Sequence, residues 1–267
     1  HRVSWRDYNL VQSTDTHAYR REITWRVFDE KANRFANMLL SRGIRKGDKV
    51  ELMVEDRRYA ALLLTATPSV VTARVIHELP TTEAGIRVTL FQGLPKGDKM
   101  ELIIQKAVEL GAAAVVPVLM ERSVARPDRQ GMERKLERWQ KIAREACKQS
   151  GRTGDMHVHM PLSFAESLQI LSAQDAAVCP WEGARKLSLR AWQQENEAAR
   201  KIGIVIGPEG GISEKEMQDM CKSGVVPVTL GPRILRTETA GLCAISCLMC
   251  LYGEMEAVPP DVEEADT

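Results

Sequence analysis

From residue 85 onward the sequence predicts an α/β fold, a mostly parallel sheet covered by helices on both faces. Three observations lead there. Apolar runs of strand length alternate with segments of helical period. Two of those strands run into Gly-Pro loops that lead into a helix, at Ile204–Ser213 and Leu230–Ala240. The chain has 267 residues, 44% hydrophobic and 27% charged, enough for one large domain or two ordinary ones.

The elements follow in order. Residues 24–42 read as an amphipathic helix, with Trp25, Phe28, Ala32, Phe35, Ala36, Leu39 and Leu40 at helical spacing and Gly43 at its end. Val50–Val54, Tyr59–Thr67 and Val70–Leu79 read as a β-meander. Pro80–Gly85 reads as a linker. Arg87–Gln92 is a strand. Asp98–Leu110 is a helix, with Asp98 as N-cap, Glu101 at N3 and Gly111 past its end. Ala113–Leu119 is a buried strand. Glu133–Gln149 is a long helix with Leu136, Trp139, Ala143 and Ala146 on one face. Ala176–Cys179, Lys201–Ile206 and Val225–Leu230 are strands, and Ser213–Ser223 and Glu238–Tyr252 are helices. No internal repeat is present.

Composition narrows the function. The net charge is +1, unevenly spread: residues 96–152 carry 13 basic against 8 acidic side chains, and residues 254–267 carry six acidic and none basic. The basic stretch suits a polyanionic partner or a solvated face. The acidic end reads as a disordered, solvated tail. No apolar run free of charge reaches the roughly 18 residues of a membrane span. The first ten residues hold two Arg, one Asp and one His, unlike a secretory signal. Six Cys follow no secreted framework, and Cys243, Cys247 and Cys250 lie on one helical face, read as small apolar side chains packed in a core. No metal-ligand spacing is present, and the expected setting is reducing and cytoplasmic.

The two Gly-Pro loops carry the chemistry. Glycines after a strand let backbone N–H groups approach a ligand, at the sheet edge where open α/β folds bind ligands. Ser213 and Glu216 match a capping box for the next helix. The first loop is neither a dinucleotide fingerprint nor a Walker loop. In the second, Thr237 or Thr239 suits a helix cap and Glu238 the first turn. Helix capping leaves Arg233 and Arg236 unexplained.

Residues 86–253 resemble the 16S ribosomal RNA uridine-N3 methyltransferases (the RsmE family) of the SPOUT class. The matching segments are Leu94–Ala107 (LPKGDKMELIIQKA), Glu109–Gly111, Glu121–Val124, Glu145 and Ala146 with Gln149, Ser150 and Arg152, Gly207–Gly211, and Leu230–Ala240. The resemblance implies a trefoil-knotted domain that binds S-adenosyl-L-methionine. The cofactor-binding residues would be Ile206, Gly207, Pro208, Glu209, Gly210, Gly211, Leu230, Gly231, Ile234, Leu235 and Arg236. It implies a homodimer with the small ribosomal subunit and its 16S ribosomal RNA as partner. Leu242, Ile245, Leu248 and Met249 suit either the dimer interface or a buried core helix. The uracil N3 must lose its proton. Arg236, then Arg233, are candidates to stabilise the resulting charge, and Glu238 is a candidate base. Lys96, Lys99, Arg122, Arg126, Arg144 and Arg152 are candidate RNA contacts.

The family carries an N-terminal PUA-like β-barrel. Residues 47–85 fit its later half, so a smaller and incomplete barrel is expected. Residues 1–46, an atypical helical segment containing ITWRVFDEKANRFAN at 23–37, instead resemble the amino terminus of acyl-CoA synthetases, as in a chimera. Missing strands leave open edges. The alternative reading is therefore a protein that binds the cofactor and RNA but is catalytically silent.

Overall fold

The computed structural model describes residues 45–54, 57–66, 71–124 and 128–256. The expected helix over 24–42, Arg126 and the tail beyond residue 256 lie outside these. The chain divides into two compact units, His1–Thr82 and Glu83–Thr267.

The described part of the first unit is a three-stranded antiparallel meander, β1 (Lys49–Val54), β2 (Arg57–Ala66) and β3 (Val71–Leu79), with β2 central. Register shifts between Ala60 and Ala61 and between Leu63 and Thr65 interrupt the β2–β3 ladder. Ala61 and Leu63 are buried, whereas Val75 and Ile76 are exposed. Arg58 pairs with Glu51 across the β1–β2 ladder.

The second unit is built on a parallel sheet of seven strands. These are β4 (Arg87–Gly93), β5 (Ala114–Leu119), β6 (His157–Val158), β7 (Leu162–Ser163), β8 (Ala176–Pro180), β9 (Lys201–Ile206) and β10 (Val225–Val228). Their order is β10-β8-β9-β4-β5-β6, with β7 also on β5, and every ladder is parallel. Its helices are α1 (Lys99–Glu109), α2 (Arg129–Ser150), α3 (Phe164–Leu171), α4 (Leu189–Glu195), α5 (Glu214–Lys222) and α6 (Thr237–Leu251).

Alternation along the strands makes two cores. Leu90, Val115, Val178 and Ile204 pack with α1, α2, α4 and α6 on one face. Phe91, Val116, Cys179 and Val205 pack with α3 and α5 on the other. Strands buried on both faces read as unbroken apolar runs, the property that marks a parallel sheet.

Several expectations change in the structure. The short elements β6, β7, α3 and α4 fall in stretches read as loop. Asp98 sits at the N-cap of α1 without bonding it, because its φ of −97° and ψ of 9° are not the extended conformation that aims a side chain at the helix N–H groups. Glu101 pairs with Arg138 instead. The N-cap of α6 is Arg236, and neither Thr237 nor Thr239 fills that place. The cysteines at 243, 247 and 250 are not core: Cys243 is half-buried and the other two are exposed. The helix instead buries Gly241, Ala244, Ile245, Leu248 and Met249 against the sheet. Ile245, Leu248 and Met249 are thus core residues, and Leu242 alone of the expected interface set is half-buried.

Glu83, read as linker, is anchored in the second unit. Glu83 takes hydrogen bonds from Arg152 and from Gly154 N at 2.8 Å. Glu254 Oε1 accepts from Ile86 N at 3.1 Å, closing the entry of β4 onto the exit of α6. Among the described residues no helix is long and apolar enough to cross a membrane.

Candidate functional site

The carboxyl ends of β4 and β9 lie side by side, Gln92 in register with Ile206. The loops leaving them, 94–98 and 207–213, are therefore neighbours. Their approach is close: a Cβ on Gly93 would stand 2.6 Å from both Cδ and N of Pro208, so only glycine fits. The second loop then turns tightly, with Gly211 N donating to Pro208 O at 2.9 Å and Gly211 at φ 74°. At its end Ser213 and Glu216 form the expected capping box of α5. Glu216 also accepts from Glu121 N at 2.7 Å, which draws in the loop after β5.

A buried relay joins this loop to the 230–240 segment. Gln92 Nε2 donates to Thr237 Oγ1 at 2.8 Å, and Thr237 Oγ1 donates to Gly207 O at 2.6 Å. Gln92 Nε2 also donates to Gly93 O, so both its N–H groups are engaged. Three segments distant in sequence meet at one hydroxyl. Sequence reasoning missed Gln92 and gave Thr237 the wrong task. The available signal was an amide at the end of an otherwise apolar strand.

The other expected cofactor residues fall around this relay. Ile206 is 3% exposed and packs in the core, so its main chain alone can reach a ligand. Glu209 accepts from Lys96 N at 3.1 Å and from Lys99 Nζ at 2.8 Å. Burial alone pushes its carboxyl up, but those two donors and its own N–H outweigh it and hold Glu209 below the ordinary carboxylate range. Gly210 O accepts from Arg122 at 3.1 Å. Leu230 and Leu235 are half-buried, and Gly231, Arg233 and Arg236 are exposed. Ile234 is 84% exposed, unusual for an isoleucine in a loop between buried elements. Glu238 is partly shielded, at 18% side-chain exposure.

The expected RNA contacts separate into three groups. Lys96, Arg122 and Arg144 are exposed. Lys99 lies against carboxylates. Arg152 is 6% exposed and does not face solvent. Its guanidinium bonds both Glu83 oxygens, Val108 O and Ala112 O, capping the carboxyl end of α1. It is a structural residue, because a guanidinium can bond a helix end and a carboxylate together where a lysine has one point of charge.

These loops fit a cationic amino-acid ligand. Bare glycine backbone lines the turn, and Glu238 Oε2 is buried with no hydrogen-bond partner among the described residues. The nearest cation to that oxygen is the Lys99 ammonium at 3.6 Å, beyond hydrogen-bond distance, so the oxygen keeps room for a further donor. Among the described residues no group of three or more His, Cys, Asp or Glu side chains is placed to hold a metal ion.

Fold and edge together define an α/β domain with a candidate ligand site at the carboxyl edge of its parallel sheet. The chain belongs to the RNA methyltransferase domain family, whose model matches residues 82–249. It is similar to the ribosomal RNA small subunit methyltransferase E of Bacillus subtilis, 42% identical over 170 residues, 62% of this chain and 66% of that protein. This chain thus spans slightly under two thirds of that relative. A solved ribosomal RNA small subunit methyltransferase E from Neisseria gonorrhoeae, bound to S-adenosyl methionine, matches with a TM-score of 0.67 and 32% identity over 83% of this chain and 90% of that one. A methyltransferase structure from Legionella pneumophila in complex with the same cofactor matches with a TM-score of 0.66 and 27% identity, covering 82% and 89% of the two chains.

Proposed function

We propose that this protein methylates N3 of a uridine in 16S ribosomal RNA of the small ribosomal subunit, using S-adenosyl-L-methionine, in the cytoplasm. The observation that carries the reading is the Gln92–Thr237–Gly207 relay, which makes one assembly of the two Gly-Pro loops beside exposed Arg233 and Arg236. The proposal extends to a trefoil-knotted SPOUT domain over 86–253 and a partial PUA-like barrel over 47–85. It includes a homodimer through the 86–253 domain, to which the last helix, α6, contributes.

The cofactor supplies, when bound, a methyl group already activated by its sulfonium. The chain's own task is to position and to manage charge. Main-chain groups of 206–211 and 230–236 would hold the donor, and positioning it against the acceptor would supply much of the acceleration. The uracil N3 carries a proton that must leave. Arg236, with Arg233 beside it, places positive charge near the uracil oxygens as negative charge develops. Glu238 is the acceptor for the N3 proton. Lys96, Arg122, Arg126 and Arg144 contact RNA phosphates, and those contacts weaken with salt.

The test is transfer of labelled methyl to small ribosomal subunits lacking the uridine-N3 mark, with the product base identified. Label in N3-methyluridine is expected. Label in another base overturns the position. Cofactor binding without transfer supports the catalytically silent alternative. Arg236→Ala is expected to lower transfer far more than cofactor affinity, and equal loss of both assigns Arg236 to cofactor binding instead.

A further inference from the structure

Lys99, the first residue of α1, was expected at the RNA. Its ammonium instead lies between two carboxylates from two other segments. It donates to Glu209 Oε1 at 2.8 Å and stands 3.6 Å from Glu238 Oε2. Glu209 belongs to the loop after β9 and Glu238 to the first turn of α6. The three side chains are 35%, 29% and 18% exposed, so water screens this bridge only in part. The hydrogen bond to Glu209 is the main cause that raises the Lys99 ammonium above its ordinary value, so it stays charged throughout the neutral range. Without it, two acidic groups from opposite sides of the site would face each other unbalanced.

We infer that Lys99 is a positioning residue. The Glu209–Lys99–Glu238 bridge fixes the 207–211 loop against the start of α6, and so fixes the two halves of the site at one separation. The inference rests on the reading of this edge as the cofactor site. It places the cation inside the protein's own charge network and withdraws it from the RNA surface. It also explains why Glu209 takes a second bond from Lys96 N: its carboxylate is the fixed end of the bridge.

Two consequences separate this from an RNA contact. A positioning lysine sets cofactor affinity and leaves the salt dependence of RNA binding unchanged. A phosphate contact does the reverse, lowering the slope of log affinity against log salt by about one.

The experiment uses the full chain and its Lys99→Met, Lys99→Arg, Glu209→Gln and Lys99→Met/Glu209→Gln variants. S-adenosylmethionine affinity is measured by calorimetry, binding to protein-free 16S ribosomal RNA across a salt series, and melting temperature for each variant. Lys99→Met is expected to weaken cofactor binding about three- to tenfold, between the value of an exposed pair and that of a charge-assisted hydrogen bond. Lys99→Arg recovers most of it. The double variant is no weaker than the worse single one, because both remove one interaction. The RNA salt slope stays at the parent value, and the melting temperature falls by no more than about 2–4 °C, the loss of one partly exposed pair. Unchanged cofactor affinity in Lys99→Met, or a reduced salt slope, overturns the inference. If Lys99→Met fails to fold, the near-isosteric Glu209→Gln carries the cofactor arm, and unchanged affinity there overturns the inference equally. A parent protein that binds no cofactor overturns the functional reading, an outcome distinct from a variant that binds as well as the parent.

Discussion

Replacing Arg152 by methionine keeps the length of the side chain and removes its charge. The guanidinium bonds both oxygens of Glu83, with Nε 3.3 Å from Oε1, and donates to Ala112 O at 2.6 Å and Val108 O at 3.2 Å. Val108 O keeps a second donor, Gly111 N at 3.0 Å. Ala112 O loses its close donor, a loss of about 1–3 kcal/mol. Breaking a buried pair costs about 3–5 kcal/mol. Glu83 is 27% exposed and keeps Gly154 N, so it recovers part of its solvation. The net expectation is the low end, about 3 kcal/mol, or about 6–12 °C for a unit of this size. Urea and thermal denaturation at pH 7 measure it.

The difference should also depend on pH. Burial is the largest influence on Glu83 and pushes its carboxyl up. The Arg152 hydrogen bond, the Gly154 N–H and the Arg152 charge outweigh it and hold the group below the ordinary value of 4.5. A carboxylate lowered by folding stabilises above its unfolded value and loses that contribution as pH falls through the folded one. The gap between parent and variant should therefore be full at neutral pH, above the ordinary value of 4.5, and close as pH falls below it through the lowered folded-state value. A variant within 0.5 kcal/mol of the parent at pH 7, with weaker RNA binding and a shallower salt slope, refutes this account and returns Arg152 to the RNA surface.

Thr237→Val breaks the relay and strands Gly207 O and the Gln92 amide, at about 1–3 kcal/mol. Thr237→Ser keeps the hydroxyl and should restore stability in the same melts. Gly93→Ala drives a Cβ against Pro208 and should cost about 1–3 kcal/mol, with loss of cofactor affinity by calorimetry. Native-state thiol titration should label Cys221 and Cys250 quickly, Cys247 more slowly because burial and then Cys243 and Cys250 raise its thiol, and Cys147 and Cys179 only on unfolding. Cys179 resists for a second reason, because burial pushes its thiol far up. If α6 is the dimer contact, Cys247 and Cys250 lose reactivity as concentration rises while Cys221 keeps it.

The sheet was legible because its strands are buried on both faces. LFQ in β4, AVVPVL in β5 and IGIVI in β9 stand out from charged surroundings without any alternation to decode. The GPEGG turn was legible because glycine, proline and a capping box each have a local conformational cause. Helix α3 has the same box, Ser163 with Glu166, and was passed over only because its helix is eight residues long. Side-chain destinations were less legible. Arg152 and Arg144 look alike in sequence, and burial of one depends on Glu83, 69 residues away. The cysteines of α6 were misplaced for a similar reason. With Leu, Ile and Met on several sides of that helix, periodicity does not select the face the sheet covers.

The pairing of β4 bears on how the chain reaches its native state. The strand finds β5 soon, but its other edge waits for β9, more than a hundred residues later. Gln92 waits for Thr237, 145 residues on, and Ile86 for Glu254, 168 residues on. At about 5–20 residues per second of synthesis, β4 stays half-paired for roughly 4–17 s between completion of β5 and of β9. For that interval a strand destined for burial on both faces has an open hydrogen-bonding edge, and ribosome-bound chains stalled before residue 200 are expected to aggregate more readily than the complete chain.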